Sequence, residues 1–145
     1  MNIPEYISKE EVQRVCQEIG VRDWTKLTEA RVTLDEARII QEVVGNEANQ
    51  IPAEEFKQGL EVELEHGTQF PDANVTNNHP LLTGMIVLAH LKEMLDYYQR
   101  LEVAELEGDL LKAFRSNDPD KLHRKFGLLL QARHELSEKE SSEVS

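Results

Sequence analysis

The chain has 145 residues, a length that suits one domain with one hydrophobic core. It carries 28 Asp and Glu residues against 16 Lys and Arg residues, so its formal net charge is −12. A nucleic-acid-binding surface offsets phosphate charge with Lys and Arg, and the sequence shows no basic stripe. These observations argue against nucleic acid and anionic membranes as partners.

The cysteine content and the lengths of the apolar runs indicate which cellular compartment to expect. Cys16 is the single cysteine, which excludes an intrachain disulfide, and its spacing with Val12 and Ile19 predicts a core position. No apolar run reaches the ~18–20 residues of a membrane span. The first residues, MNIPEYISKEE, lack the apolar segment of a signal peptide. We therefore expect a cytoplasmic protein, in which the glycosylation sequon at Asn74 has no role.

A capping-box pattern opens the first predicted helix. Ser8 lies three residues before Glu11, and the apolar residues that follow at helical spacing predict a helix over 9–19 that Gly20 ends. The next dozen residues show no sustained periodicity. We expect an irregular segment there, with a turn of helix near Trp24.

Two further helices follow in the first half of the chain. Thr33 with Glu36 makes a second capping box, and the helix that it opens ends at Gly45. Pro52 suits a first helical turn, and apolar residues continue that third helix to Gly67. No strand-like alternation and no internal repeat interrupts this pattern.

The second half of the chain predicts a long loop and then helices. Residues 68–79 are rich in turn formers and make the longest predicted loop. Pro80 opens a fourth helix that we expect to reach at least residue 106, with a break or bend at Gly108. Asp118 caps a last helix, with a proline at its first position.

These elements predict an all-α fold, a compact bundle of about five helices in orthogonal or up-and-down arrangement. We expect a single domain over 1–136 and a disordered acidic tail over 137–145. The predicted core is made of Val12, Ile19, Ile40, Val44, Phe56, Leu60, Ile86, Leu101, Phe126 and Leu130.

Polar residues occupy positions where the helical spacing predicts apolar ones. Residues three and four apart share a face of a helix. Glu63 and His66 continue the apolar stripe of the third helix, and His90, Glu93 and Tyr97 continue that of the fourth. Burying a bare carboxylate costs several kcal/mol. A hydrogen-bond network or a cation must therefore compensate.

Two short patterns, Glu63-x-x-His66 and His90-x-x-Glu93, favour a cation. A carboxylate and an imidazole one turn apart can reach one metal ion, as the Glu-x-x-His motifs of dimetal helical bundles do. Facing helices lie ~8–10 Å apart, so side chains of both can converge on one zinc or ferrous ion. Tyr97 would be a fifth ligand or a hydrogen-bond donor to a ligand. We expect one divalent cation per chain.

Other arrangements of the same residues stay open. One is a metal-free Glu–His–Tyr hydrogen-bond network, and another is placement on partly exposed faces. His90 lies ten residues beyond Pro80, about 15 Å into the fourth helix. It can meet His66 only if the long loop climbs past the end of the third helix, or if the two pairs come from different subunits of a homodimer.

The remaining titratable candidates are expected outside the site. Glu61 and Glu65 are offset from the inward stripe and should be solvated. His79 stands at the entry to the fourth helix and should lie in its capping region. His123 and His134 share a face of the last helix and should lie at the surface.

Standard catalytic signatures do not occur in the sequence. It has no phosphate-binding glycine loop, no Gly-x-Ser-x-Gly and no Cys-x-x-Cys. Two function classes remain. The first is a helical metal-binding protein of unknown activity, such as a metal-dependent hydrolase or oxidoreductase. The second is a non-catalytic binding or accessory module with a buried Glu-His-Tyr hydrogen-bond network.

Several unusual polar segments occur together. They are GLEVELEHG at 59–67, NVT at 74–76, TG at 83–84, AHLKE at 89–93 and DYY at 96–98. With them the chain resembles a family of uncharacterised bacterial and phage domains of unknown function. That family has Pro at the position of Leu95 and favours Lys at the position of Met85, so the fourth helix is expected to be straighter here. The resemblance implies no activity, and it marks the polar residues as a signature.

Overall fold

The computed structural model describes the backbone of all 145 residues and every side chain except that of Asn46. The described chain consists of six α-helices, three short 3₁₀ turns and connecting segments, without a strand, which confirms the all-α prediction. It divides into two compact units, Met1–Lys92 and Glu93–Ser145. A single domain over 1–136 stays a prediction. Across the described backbone, no helix has both the length and the apolar character to span a membrane.

The first unit contains three complete helices and nearly all of a fourth, and their start signals lie in the sequence. Ser8 Oγ accepts from the backbone N–H of Glu11 at 3.1 Å. Thr33 and Glu36 form both halves of the predicted capping box. Gly20 has a φ of 79°, the left-handed conformation that closes the first helix. The helices are α1 (Lys9–Ile19), α2 (Leu34–Val44), α3 (Ala53–Gln69) and α4 (Pro80–Glu93).

The second unit is a hairpin of α5 (Tyr97–Arg115) and α6 (Pro119–Val144). The carboxylate of Asp118 accepts from the backbone N–H of Lys121 at 2.9 Å, so the predicted cap of the last helix is confirmed. Residues 137–144, which the sequence led us to expect as a disordered tail, form the last turns of α6.

The single long helix predicted from Pro80 to beyond residue 106 is interrupted. α4 ends at Glu93 and α5 begins at Tyr97, whereas Gly108 lies inside α5 and causes no break. The prediction of one continuous helix over this region is therefore wrong. The expectation that the fourth helix is straighter than in the family stays a prediction.

Asp96 supplies a physical reason for the interruption. It precedes the first residue of α5 and is only 3% exposed. Its two carboxylate oxygens accept from Nε and Nη2 of Arg100, at 2.9 and 2.6 Å. Asp is favoured at a helix N-terminus, where the helix dipole stabilises a negative charge. Asp96 and Arg100, four residues apart, thus mark a new helix start.

The predicted core is correct at most positions of the first unit, with Ile86 as the clear exception, and largely wrong in the second unit. Buried as predicted are Val12, Ile40, Phe56, Leu60 and Cys16, whose thiol pKa is raised by that burial. Three predicted core residues are instead exposed: Ile86 (39%), Phe126 (50%) and Leu130 (52%). Ile19, Val44 and Leu101 are partly buried. Large buried side chains that the prediction missed are Trp24, Leu64, Val87 and Leu129.

The error at Ile86 follows from the composition of α4. A helix that is apolar on all sides gives no periodic signal for the side that faces inward. The buried side comprises Pro80, Thr83, Gly84, Val87 and Leu91, and its middle part is made of small or medium residues. A Cβ atom at Gly84 would lie 2.8 Å from Ile40 Cγ2. α4 therefore approaches α2 closely through its small residues, and Ile86 turns outward.

Glu36 is a buried carboxylate that joins the start of α2 to the preceding segment. Its oxygens accept from Arg22 Nε at 2.9 Å and Nη2 at 2.7 Å, and from the backbone N–H of Thr33 at 3.0 Å. Trp24 Nε1 lies 3.4 Å away. Burial opposes ionisation of this carboxyl group, but the donors outweigh burial and lower the pKa of Glu36 from 4.5 to about 2.

Replacement of Glu36 should therefore weaken the first unit. A depressed carboxyl pKa stabilises the fold above pH 4.5, and this stability is lost as the pH falls towards about 2. Near neutral pH, Glu36→Gln should lower the free energy of unfolding by about 1–3 kcal/mol, because buried donors lose a charged acceptor. It should also reduce the loss of stability below pH 4.5. Urea denaturation at several pH values measures both effects.

The neighbouring substitution Asp35→Asn is the control. The Asp35 side chain is 90% exposed, so this variant should change stability by less than about 0.5 kcal/mol. Equal losses in the two variants would contradict the role given to Glu36.

Candidate functional site

Glu63 and His90 are the two predicted site residues that the structure brings together. Glu63 lies on α3 and His90 in the last turn of α4. His90 Nε2 is 3.3 Å from Glu63 Oε1, and the two side chains are 30% and 13% exposed, respectively. This half-buried contact joins α3 to α4 and is an ion pair when the imidazole is protonated.

His66 lies apart from the inward face of α3. It is exposed and belongs to the last turns of the helix, where its carbonyl oxygen accepts from the backbone N–H of Phe70 at 2.9 Å. α3 continues to Gln69, two residues beyond the predicted end at Gly67. Of the two α3 residues predicted to converge with His90, Glu63 is in contact with it, and the inclusion of His66 in the same site stays a prediction.

The other two predicted site residues belong to the second unit. Glu93 is exposed, and Tyr97 begins α5. The rings of Tyr97 and Tyr98 meet edge to face, with centroids 5.1 Å apart and an interplanar angle of 83°. Among the side chains that the structure describes, no group of three or more His, Cys, Asp or Glu is arranged to hold a metal ion.

The loop before α4 contains an asparagine network that the sequence analysis did not single out. Asn74 Nδ2 donates to Asn78 Oδ1 at 3.0 Å, and the backbone N–H of Asn78 donates to Asn74 Oδ1 at 3.3 Å. Asn78 is 7% exposed, and its Nδ2 donates to the carbonyl oxygen of Trp24 at 3.4 Å. Asn77 donates to the carbonyl oxygen of Ile7 at 2.6 Å. The loop is thus bonded to two earlier parts of the first unit.

The sequence contains a signal for this network in its residue types. Asn77 and Asn78 have φ values of 49° and 60°, in the left-handed region that Asn tolerates better than most residues. A run of Asn in a long loop can therefore indicate fixed backbone geometry as well as a flexible turn.

Gly67 makes room for the network on α3. A Cβ atom at this position would lie 2.8 Å from Asn74 Nδ2 and closer still to Asn78 Oδ1. The last glycine of the segment GLEVELEHG is therefore a close-approach site within α3 rather than its end.

A matched pair of glycine replacements tests this role. Gly67→Ala should lower the free energy of unfolding by about 1–3 kcal/mol, since the loop must move away from α3. Gly127→Ala, at a helical position where nothing beyond the adjoining backbone of the same helix lies within 4 Å of the new Cβ, should raise it by about 0.5–1 kcal/mol. Thermal or urea denaturation of both variants provides the comparison. A Gly67→Ala variant as stable as wild type would show that the loop does not depend on this contact.

His79 caps α4, as the sequence predicts. Its Nδ1 accepts from the backbone N–H groups of Leu81 and Leu82, at 3.2 and 3.3 Å. The side chain must be neutral at Nδ1 to accept these bonds. Burial lowers the pKa of His79 below 6.5, and the charge of Glu11 offsets this effect only in part.

The cap should make the stability of the first unit depend on pH. A depressed histidine pKa means that the unfolded chain binds more protons below pH 6.5, so stability should fall as the pH decreases from there. His79→Asn keeps a capping side chain and removes the titration. The melting temperature of wild type, minus that of His79→Asn, should therefore decrease between pH 8 and pH 5. A constant difference would contradict the capping role of the neutral imidazole.

A polar cavity of about 300 Å³ opens beside the asparagine loop. It lies where α1 begins, where α3 ends and where the Trp24 turn meets the loop. The polar side chains in its wall come from Lys9, Thr25, Thr28, Thr68, Asn74, Asn77 and Asn78. No sequence motif indicates this cavity, because its residues come from four separated segments.

The remaining candidates are at the surface or in ion pairs. His123 and His134 are exposed, as predicted. Glu65 is exposed as well, whereas Glu61 is half-buried and accepts from the backbone N–H of Val32 at 3.0 Å. Glu61 also pairs with Lys57 at 3.2 Å, so it links α3 to the segment before α2.

The segments that resemble the family extend from α3 through the loop and α4 to the start of α5. The family described as "Protein of unknown function (DUF5661)" matches residues 12–107. The chain belongs to this family. The match includes the Glu63–His90 contact and the asparagine loop, and it ends within α5. No curated protein and no solved structure matches the chain.

Proposed function

We propose that the chain is a non-catalytic binding or accessory module, in which the polar residues of α3, α4 and their connecting loop hold the fold together. The contact between Glu63 and His90 carries this proposal. It joins α3 to α4 through two residues of the segments that resemble the family. Asn74 and Asn78 tie the loop to α3 in the same region.

The hydrogen bonding of the buried polar groups supports a structural role for them. In the described part of the chain, each buried side-chain nitrogen or oxygen has a hydrogen-bond partner. These groups therefore act within the protein. The polar cavity beside the loop offers Lys9, Thr28 and Asn77 to a small polar ligand on a backbone that the network keeps in place.

Divalent metal binding is the second proposal, with zinc or iron as the ion and Glu63, His66, His90, Glu93 and Tyr97 as the ligand candidates. Two ligands that are each ~2.0–2.1 Å from a tetrahedral ion are about 3.3 Å apart. The separation of His90 Nε2 and Glu63 Oε1 is 3.3 Å, which favours this pair as the nucleus of a site. Activity as a hydrolase or oxidoreductase would require an open coordination position.

Metal titration of Glu63→Gln and His90→Ala separates the two proposals. If the chain is a binding module, protein purified without chelators should contain no stoichiometric zinc or iron. Glu63→Gln should then lower the free energy of unfolding by about 0.5–1 kcal/mol, with or without chelator, as expected for a partly exposed ion pair. The metal site predicts one ion per chain, lost in both variants and released as the pH falls through ~6.5.

Glu65→Gln is the matched control, because Glu65 is an exposed carboxylate on the same helix. It should leave the metal content unchanged. Tight binding of one ion that Glu63→Gln abolishes and Glu65→Gln keeps would overturn the first proposal and support the second.

We also propose a cytoplasmic location without nucleic acid as a partner. The single, buried thiol of Cys16 supports the location, since small secreted domains commonly depend on disulfides. The net charge of −12 opposes binding to a phosphate backbone.

A further inference from the structure

α4 has an uncharged, apolar outer side. Residues 80–91 contain no Asp, Glu, Lys or Arg, in a chain whose net charge is −12. The inner side of the helix is buried at Thr83, Gly84 and Val87. A helix that is apolar on all sides is normally enclosed by protein or membrane. With 14 residues, α4 is shorter than the ~20 residues that a membrane span needs, so another protein surface is the suitable cover.

The outer side of α4 continues onto α2. Met85 is 59% exposed, Val43 50% and Ile86 39%. Between the two helices runs an apolar groove of about 280 Å³. We refer to this surface as the α4 face, and it consists of Val43, Val44, Leu81, Met85, Ile86 and Leu88.

We propose that the α4 face binds the same face of a second copy of this chain and so forms a two-fold symmetric homodimer. A standard interface buries about 800 Å² per partner, and about 65% of a homodimer interface is apolar, which requires about 500 Å² of apolar surface per chain. Burial of one fully exposed large apolar side chain corresponds to roughly 60–120 Å², and the side chains of the α4 face are exposed by 59% or less. The α4 face therefore supplies part of the apolar area that a dimer needs.

Charge favours a second copy at this face. Two chains of net charge −12 repel each other, so their interface must keep carboxylates apart. The α4 face contains no charged residue. The ion pair of Lys92 with Glu47 at the end of α4, 3.0 Å long, adds no net charge.

The hairpin of the second unit also has exposed apolar residues, but these lie among charged residues. Leu111, Phe114, Phe126 and Leu130 are exposed there. They lie within residues 109–133, which hold six basic and three acidic residues and therefore have a net charge of +3. Self-pairing of these residues would bring like charges together. A two-fold contact through α4 avoids that cost, because the same uncharged patch meets itself.

Sedimentation velocity and light scattering over a concentration series test the dimer. Wild type should approach twice the 16.7 kDa of one chain. Outside the apolar contact, the two negatively charged copies repel each other. Salt screens this repulsion, so the dimer should become stronger as the salt concentration approaches about 1 M, where the Debye length is about 3 Å. Met85→Glu should weaken dimerisation at least about tenfold, since an unpaired carboxylate would be buried. Met85→Ser, which removes apolar area without adding charge, should weaken it less.

Leu111→Glu is the matched control, because Leu111 is 59% exposed, as Met85 is, but lies in the hairpin. It should leave the dimer intact, and circular dichroism of all three variants should match wild type. Three results would each overturn the proposal: a wild-type chain that is monomeric at every concentration, a dimer that Met85→Glu leaves unchanged, or a dimer that Leu111→Glu disrupts equally. A monomer would leave the α4 face to a partner of different sequence.

Discussion

The side chain of Asn78 occupies the space that a side chain at position 67 would need, and the path of the chain between α3 and α4 depends on this contact. Asn78 is buried, bonds to Asn74 and donates to the carbonyl oxygen of Trp24. Its left-handed φ of 60° turns the backbone into His79, whose ring then caps α4. One residue thus fixes the start of α4 and holds the loop against α3.

The contact between Glu63 and His90 depends on that start and on a close approach further along α4. Gly84 lies against Ile40 and Val44 of α2, so the inner side of α4 packs closely against α2. His90 follows Gly84 by six residues and meets Glu63 of α3. Gly67 and Gly84 therefore influence the candidate site by setting the position of α4. They do so without contact with Glu63 or His90.

Much of the fold could be predicted from local signals, and the failures have a common cause. Capping residues located the starts of α1, α2 and α6, because a cap is a property of a few consecutive residues. The inward side of α4 could not be predicted, because apolar residues surround the helix and only its fit against Ile40 selects Gly84. The break before Tyr97 was missed for a related reason. The burial of Asp96 with Arg100 depends on tertiary structure, although their spacing of four is visible in the sequence.

The candidate site shows how far helical spacing can specify a cluster. On a helix each residue turns by about 100°, so a step of three residues moves a side chain by about 60° and a step of four by about 40° in the opposite sense. Glu63 lies beside the buried Leu60 and Leu64, while His66, three residues later, is turned past the edge of the buried face and is exposed. Spacing alone treats Glu63 and His66 as equivalent, although Glu63 is partly buried in contact with His90 and His66 is exposed. A carboxylate and an imidazole at the edge of a helix pair satisfy each other without an ion, and for this reason the same sequence pattern is compatible with a packing contact as well as with two ligands of a metal.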